Sequence, residues 1–566
     1  MIKVKDHQTE WIFDPWNHIG PKRQKMLDNS WAGVFKKYLL EKLPIERVAG
    51  HFDSVMGRPT KELYTVIGAL IMQQLHDLSD PDVTRAVAFN IDWHYALDIT
   101  GDSDENTYFC ERTLRRYRKI LIEEGLDKIL FETLTDTLID KFGVNTSKQR
   151  LDSTHIRSNM RILNRIGIFL STIQKFLKRL RDINGDMYAL LPESEFGSRY
   201  LDKDTENLFS YVKPSGSSKT IHDMAKTIFH LVEFFRPYDA VRNMPEYCLL
   251  ERVLNESCSV TGTGIVELKP AEETPPDSLQ NPSDPDAGYD AHKGSGYQAQ
   301  IMETYQPDKK DIDLITYVDI ESAHKHDTHA LLPAIQAASE RNCRPDELIC
   351  DSHYGSDNNV QQAAEQNVEV ISPISGNPNI IEITLGNFKA DTRSNFITRC
   401  PEGSVPVNVC RTRKNRLIAK FTKNTCSACP RLKDCPVVIG KKASYLRYND
   451  KMLRQAQRRA FGKTKEFKDK YRWRAGIEAA MSHLKQDIGL KRLRVRGMVS
   501  VRFAVILKVL GLNILRCVKA LCLPLFQPFN RFLTSVFFFL GLFFHSVRYF
   551  IVKDQVFIKI RLLFVT

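Results

Sequence analysis

Apolar residues between about Asp53 and Gly143 return at three- and four-residue steps, with Leu63, Val66, Ile67, Leu70 and Ile71 marking one face of a helix. Gly57-Arg58-Pro59-Thr60 ahead of them reads as a start signal, and Asp80-Pro81-Asp82 opens a second helix. The period then changes. Runs rich in Val, Ile and Tyr at 149–156, 297–305, 314–320, 347–351 and 368–371 read as strands, and 330–340 reads as a crossover helix between two of them. The expectation is a helical N-terminal part followed by an α/β part with a mixed sheet.

A long helical insertion separates the first two strands. It includes 161–182, rich in Ile, Leu, Phe, Lys and Arg, and ends in a Pro-rich acidic run at 270–286 that reads as an exposed loop. After Arg496 the chain turns apolar. The stretch 532–544 has Thr534 and Ser535 as its only polar members, yet falls short of the roughly twenty residues of a membrane-spanning helix. With His545 and Arg548 close behind, it reads as a buried terminal helix.

A chain of 566 residues exceeds one ordinary core, so two or three domains are expected. Its 42% hydrophobic and 26% charged residues fit a folded globular protein, and its formal charge of +13 favours a polyanionic partner. The charged opening Met1-Ile2-Lys3-Val4-Lys5-Asp6 shows no export signal, so a cytoplasmic location is expected and the twelve cysteines read as thiols or metal ligands. Arg112, Arg115, Arg116, Arg118 and Lys119 surround Leu114 and Tyr117 on one basic helix, making Arg115 and Arg116 candidate DNA contacts. A solvated charged face would give the same pattern.

The chemistry concentrates elsewhere. Tyr471, Arg474, Glu478 and Lys485 fall within roughly 60° of one another if 471–489 is one helix at about 100° per residue. An exposed ion-pair stripe would share that spacing. Two aspartates add what a stripe does not explain: Asp152 in Arg150-Leu151-Asp152-Ser153-Thr154-His155, and Asp351 in Cys350-Asp351-Ser352-His353-Tyr354-Gly355. Each follows apolar strand residues, where open α/β sheets bind ligands. With Glu478 they make a set of hard oxygen donors able to hold two divalent cations.

These residues resemble the DDE transposases of bacterial insertion sequences. The spacing Tyr471, Arg474, Glu478, Lys485 matches that family's Tyr-Arg-Glu-Lys signature without a gap, and Leu151-Asp152-Ser153-Thr154 and Cys350 to Gly355 resemble its two aspartate motifs. The segment from Gly57-Arg58-Pro59 to Leu75-His76-Asp77-Leu78-Ser79-Asp80 is similar to the insertion sequence 1182 group. The resemblance spans roughly residues 20 to 515. It implies an RNase H-like catalytic core with Asp152 on the first strand, Asp351 after the fourth and Glu478 on a later helix. The resulting division is a helical DNA-binding domain at 1–145, a catalytic domain at 146–515 interrupted at about 160–287 and 377–445, and an apolar tail at 516–566 that the family does not usually carry.

The implied reaction is metal-dependent cleavage and strand transfer at the ends of the element. Asp152, Asp351 and Glu478 would hold two Mg²⁺ ions, with Mn²⁺ an alternative, while Tyr471, Arg474 and Lys485 position phosphates. Double-stranded DNA is the expected partner, with a homodimer assembling on it, no small-molecule cofactor and no membrane. An inactive DNA-binding regulator, or a nuclease that cuts without joining, would carry much of the same sequence.

Three further clusters stand out. Cys426-Ser427-Ala428-Cys429 and Cys435, with Cys400 and Cys410 upstream, have the ligand count for structural Zn²⁺, and Cys400, Cys426, Cys429 and Cys435 are the candidate ligands. Reduced surface thiols are the alternative. His324, His326, Asp327 and His329 have metal-like spacing but read as loop structure near the site. Gly288 to Tyr297 lacks the spacing of a phosphate-binding loop and reads as a turn into a strand, with Lys293 near DNA.

Overall fold

The computed structural model describes residues 2–7, 14–201, 214–262, 264–307, 311–376 and 384–521. The apolar run at 532–544 and most of the expected tail lie outside them. The described chain is mixed α/β.

The principal elements are α1 (Leu63–Leu75), α2 (Asp80–Phe89), α3 (Glu111–Glu123), α4 (Leu126–Phe142), β1 (Lys148–Ile156), α5 (Arg165–Ile183), α6 (Pro214–Phe235) and α7 (Pro245–Ser257). There follow β2 (Gly294–Thr304), β3 (Ile315–Ser322), α8 (Leu331–Glu340), β4 (Glu347–Cys350), α9 (Asp357–Glu365) and β5 (Glu369–Ile371). A small sheet is built from β6 (Asn408–Arg411), β7 (Leu417–Phe421), β8 (Val438–Ile439) and β9 (Ser444–Tyr448). Three helices come next, α10 (Asp450–Gly462), α11 (Lys465–Tyr471) and α12 (Gly476–Gln486), and then α13 (Met498–Leu521).

The five strands expected from the pattern form one sheet in the order β3-β2-β1-β4-β5. β1, β2 and β3 are antiparallel neighbours, and β4 and β5 run parallel to β1. A parallel neighbour needs a crossover, which α8 supplies between β3 and β4.

Leu63, Val66, Ile67, Leu70 and Ile71 are all fully buried on α1, which starts at Leu63 after Glu62 accepts the backbone N–H groups of Tyr64 and Thr65. Ser79 and Asp82 form a reciprocal cap at the start of α2. These helices, one face of β1 to β3 and α13 share a single apolar core. α13 is long and apolar enough to cross a bilayer, but 72% of its apolar window is buried in the protein, as a central core helix requires. Lys508 on α13 is buried and donates to Asp77 Oδ1 at 2.8 Å and to the Ile488 carbonyl at 2.6 Å, fixing α13 to the ends of α1 and α12. The insertion α5 to α7 has its own core around Phe169, Phe176, Phe235 and Tyr247.

The run at 270–286 is not an exposed loop throughout. Asp284 is fully buried and accepts from the Ser158 and Tyr297 hydroxyls and, at 2.9 Å, from the Gly497 N–H. One carboxylate thus ties the end of the insertion to β2 and to the segment before α13, a long-range role that local composition does not encode. Asp284→Ala leaves two buried hydroxyls, those of Ser158 and Tyr297, and the half-buried Gly497 N–H without their acceptor, so destabilisation of about 3 kcal/mol is expected in denaturant unfolding.

Candidate active site

β1 and β4 run in parallel register with Leu151 opposite Cys350, so Asp152 and Asp351 come next at the same level on neighbouring chains. Asp152 still belongs to β1. Asp351 is the first residue past β4, where its Oδ1 accepts the His353 N–H at 2.8 Å and its carbonyl accepts the Ser372 hydroxyl at 2.7 Å. The two aspartates are therefore side by side, but Asp152 stands mid-strand and not at the expected strand end, because β1 continues to Ile156 in antiparallel pairing with β2.

Glu478 reaches this place from the first turn of α12. The segment 471–486 is not one helix, as the spacing alone suggested: α11 ends at Tyr471, a 3-10 turn spans Arg472–Ala475, and α12 begins at Gly476. The interruption has a cause. Arg150, buried on β1, donates to the Trp473 carbonyl at 2.9 Å, and the Trp473 ring stacks on Tyr305 with centroids 6.3 Å apart. A Cβ on Gly476 would stand 2.1 Å from Arg150 Nη1, so glycine is what lets the guanidinium in.

Arg474 links the parts. Its Nη2 lies 2.8 Å from Asp152 Oδ2 and its Nη1 3.5 Å from Glu478 Oε1. The Asp152 side chain is 14% exposed and that of Glu478 69%, so one carboxylate forms the floor and the other the rim. Burial raises the Asp152 carboxyl above its ordinary range; Arg474 opposes this, and Asp351 and Asp327 add to it. Tyr471 stacks on Phe467 at 5.3 Å and lies within electrostatic reach of Arg474, Asp351 and Asp152.

Lys485 lies towards a different neighbourhood. Burial, then Lys293 and Lys491, pushes its ammonium down, and among the described residues it forms no ion pair. His155, three residues beyond Asp152, shares these cations; both its ring nitrogens are buried without a partner among the described residues. Arg115 and Arg116 are outside the cluster, on the exposed face of α3, where Arg115 pairs with Glu111 at 3.5 Å and Arg116 covers the Phe52 ring at 4.8 Å. Arg118 of the same basic run is structural, paired with Asp80.

Sequence reasoning missed the supports. Gln300 on β2 donates to Asp327 Oδ1 at 2.9 Å and accepts from the buried Tyr354 hydroxyl. Thr328 donates to the His353 carbonyl at 2.8 Å, and the His326 and His353 rings stack at 5.5 Å. The turn at 326–329 is thereby bolted to the loop carrying Asp351. Its neighbouring histidines and aspartate were the visible signal; the Gln300 link was not. Among the described residues no three His, Cys, Asp or Glu side chains stand in ready metal-holding geometry.

Two segments match known families. Residues 25–119 match the family described as Transposase domain (DUF772), and residues 399–518 match the Transposase DDE domain. The second covers Tyr471, Arg474, Glu478 and Lys485 but neither aspartate. Each match covers less than half of the chain. No curated protein matches the sequence. Among solved structures, the chain is matched to the piggyBac transposase synaptic complex with hairpin DNA at 9% identity, over 90% of this chain and 76% of that one. The TM-score of 0.27 is too low for that match to bear on the fold.

Burial, then Lys293 and Arg157, pushes His155 down to about 4, so the folded protein favours the neutral ring. The depressed value sets the sign: this contribution to stability is whole above the unfolded value of about 6.5 and is lost as pH falls towards about 4. Melting temperature followed through that window should fall less steeply for His155→Phe than for the wild type.

Proposed function

We propose that this chain is a transposase that cuts DNA at the ends of its own insertion sequence and joins the freed 3′ hydroxyl to target DNA. The observation that carries this reading is the pairing of Asp152 and Asp351 at the same level of β1 and β4, with Glu478 joined to Asp152 through Arg474. Asp152 on the first strand of the sheet, Asp351 after the fourth and the glutamate on a later helix is the order an RNase H-like core requires. The strand order and directions support the same core.

The donor set fits Mg²⁺, or Mn²⁺ in its place: all three groups offer hard carboxylate oxygens, and a guanidinium now lies between two of them as an internal cation. Asp152, Asp351 and Glu478 would hold the ions, which supply activation of a water or 3′ hydroxyl and stabilise the leaving oxygen. The protein's own residues do the rest. Arg474, whose guanidinium lies between Asp152 and Glu478, would meet a phosphate oxygen there once metal ions take over the carboxylates. Tyr471 shapes the wall beside Asp351. Lys485, with Lys293 and Lys491 near, holds positive charge along the path of the DNA backbone. Arg115 and Arg116 offer a second basic surface. A homodimer assembled on two element ends would bring both ends to one target.

DNA flanking the gene, incubated with the purified protein and Mg²⁺, should be nicked at the element end. Asp152→Ala, Asp351→Ala and Glu478→Ala should each abolish the cut while leaving binding largely intact. Near wild-type cleavage by any one removes that residue from the site.

Lys485→Ala should weaken binding to every DNA sequence and lower the salt dependence by about one counterion. An unchanged salt slope with a lowered melting temperature rejects the phosphate role.

A further inference from the structure

The small sheet β6 to β9 has little to hold it together. Its strands are two to five residues long, and its described core is nine residues, among them Phe388, Ile397, Leu417, Phe421 and Leu446. Units with so little apolar interior usually need a covalent or metal staple. One is at hand. Cys400, Cys426, Cys429 and Cys435 line a single cavity of about 40 Å³ between Phe421 and Val437. That is room for one ion.

The four thiols reach it from two separate pieces of chain. Cys400 follows a short strand at Ile397–Arg399, and its sulfur accepts the Ser404 backbone N–H at 3.2 Å. Cys426 lies in the short helix Lys423–Ser427, and Cys429 and Cys435 flank the turn that follows, braced by the Cys429 N–H on the Cys426 carbonyl and the Leu432 N–H on the Cys429 carbonyl. Cys435 is within electrostatic reach of the other three. Cys410, equally near in sequence, lies on β6 and is not among the cavity's lining. All five are free thiols. As the side chains stand, no three such groups among the described residues are placed to hold a metal ion, so binding requires these cysteines to move towards one another.

We propose that Cys400, Cys426, Cys429 and Cys435 bind one zinc ion, which staples this sheet and, through α10, steadies the loop that carries Asp351. Four thiolates converging from a Cys-x-x-Cys turn and a distant strand end are the donor set of a closed, structural zinc site, with no position left for substrate. Binding displaces the thiol protons and its free energy becomes folding energy. The route to the active site is explicit. Leu453 anchors α10 in the small core, Arg454 pairs with Asp357 at 2.6 Å, and Arg458 donates to the Gly355 and Ser372 carbonyls at 3.0 and 3.3 Å. Ser372 in turn holds the Asp351 carbonyl.

Zinc at this place does not depend on the transposase reading, and its test is separate. The full chain purified without added metal should contain about one zinc per molecule by elemental analysis, and cobalt exchanged into it should show the absorption of a tetrahedral thiolate site. Cys429→Ser should lose the metal, while Cys410→Ser and Asp152→Ala keep it. If Cys429→Ser fails to fold, chelation of the wild type followed by limited proteolysis replaces it: cleavage within 384–448 should appear on metal removal and be suppressed when zinc is restored. Metal-free protein with four titratable thiols, disulfides among these cysteines, or equal zinc in Cys429→Ser and wild type would each overturn the proposal.

Discussion

Everything at the candidate site depends on one buried guanidinium. Arg150 is opposite Glu303 in the β1–β2 register and donates to it at 2.7 Å, while its other end holds the Trp473 carbonyl. Glu303 is fully buried and meets a second cation, Arg516 on α13, at 2.9 Å. Removing one partner from such a group typically costs about 3–5 kcal/mol, because the remaining charge is stranded in low dielectric. The pair therefore fixes where the turn before α12 meets the sheet. Asp152 is two residues along the same strand and on the same face, so the interaction that positions Glu478's helix also sets its approach to Asp152.

The site above this bolt is electrostatically unfinished. Asp152 is desolvated beside Asp351 and Asp327, and like charges in a buried place raise one another's proton affinity. Arg474 relieves the strain by standing between Asp152 and Glu478, but a single cation is shared between two carboxylates. Local rules of charge pairing are commonly broken where a protein binds something. Lys485, Lys293 and Lys491 show the opposite imbalance a short way along β1, cations gathered with little acid. Acid-rich and base-rich zones side by side suit a ligand that brings both metal ions and phosphates.

What the sequence disclosed follows from what is local. The five strands and the crossover helix were legible to within a few residues, because a period of two or of three to four is written in consecutive positions. Asp351 was legible as a strand-end polar residue, whereas Asp152 stands in the middle of β1, which runs on to Ile156 against β2. Two things were not legible. The break between α11 and α12 is imposed by Arg150, more than 300 residues away in sequence. The burial of Asp284 depends on Ser158, Tyr297 and Gly497, none of them near it in the pattern.

The site's assembly explains why short matched segments capture it incompletely. Asp152, Asp351 and Glu478 are far apart in sequence, and the matched segment at 399–518 holds the glutamate without either aspartate. Parallel pairing of β1 with β4 is what makes Asp152 and Asp351 neighbours, and that pairing survives any length of insertion between them, because loop-closure entropy grows slowly with length. The helical insertion could therefore be added between β1 and β2 with its own core and without moving the carboxylates. The glutamate has no such protection. Its position is set by contacts of a helix end, Arg150 on Trp473 and Arg474 on Asp152, so the chain before α12 must be held to the sheet by elements such as α10 and its small supporting sheet.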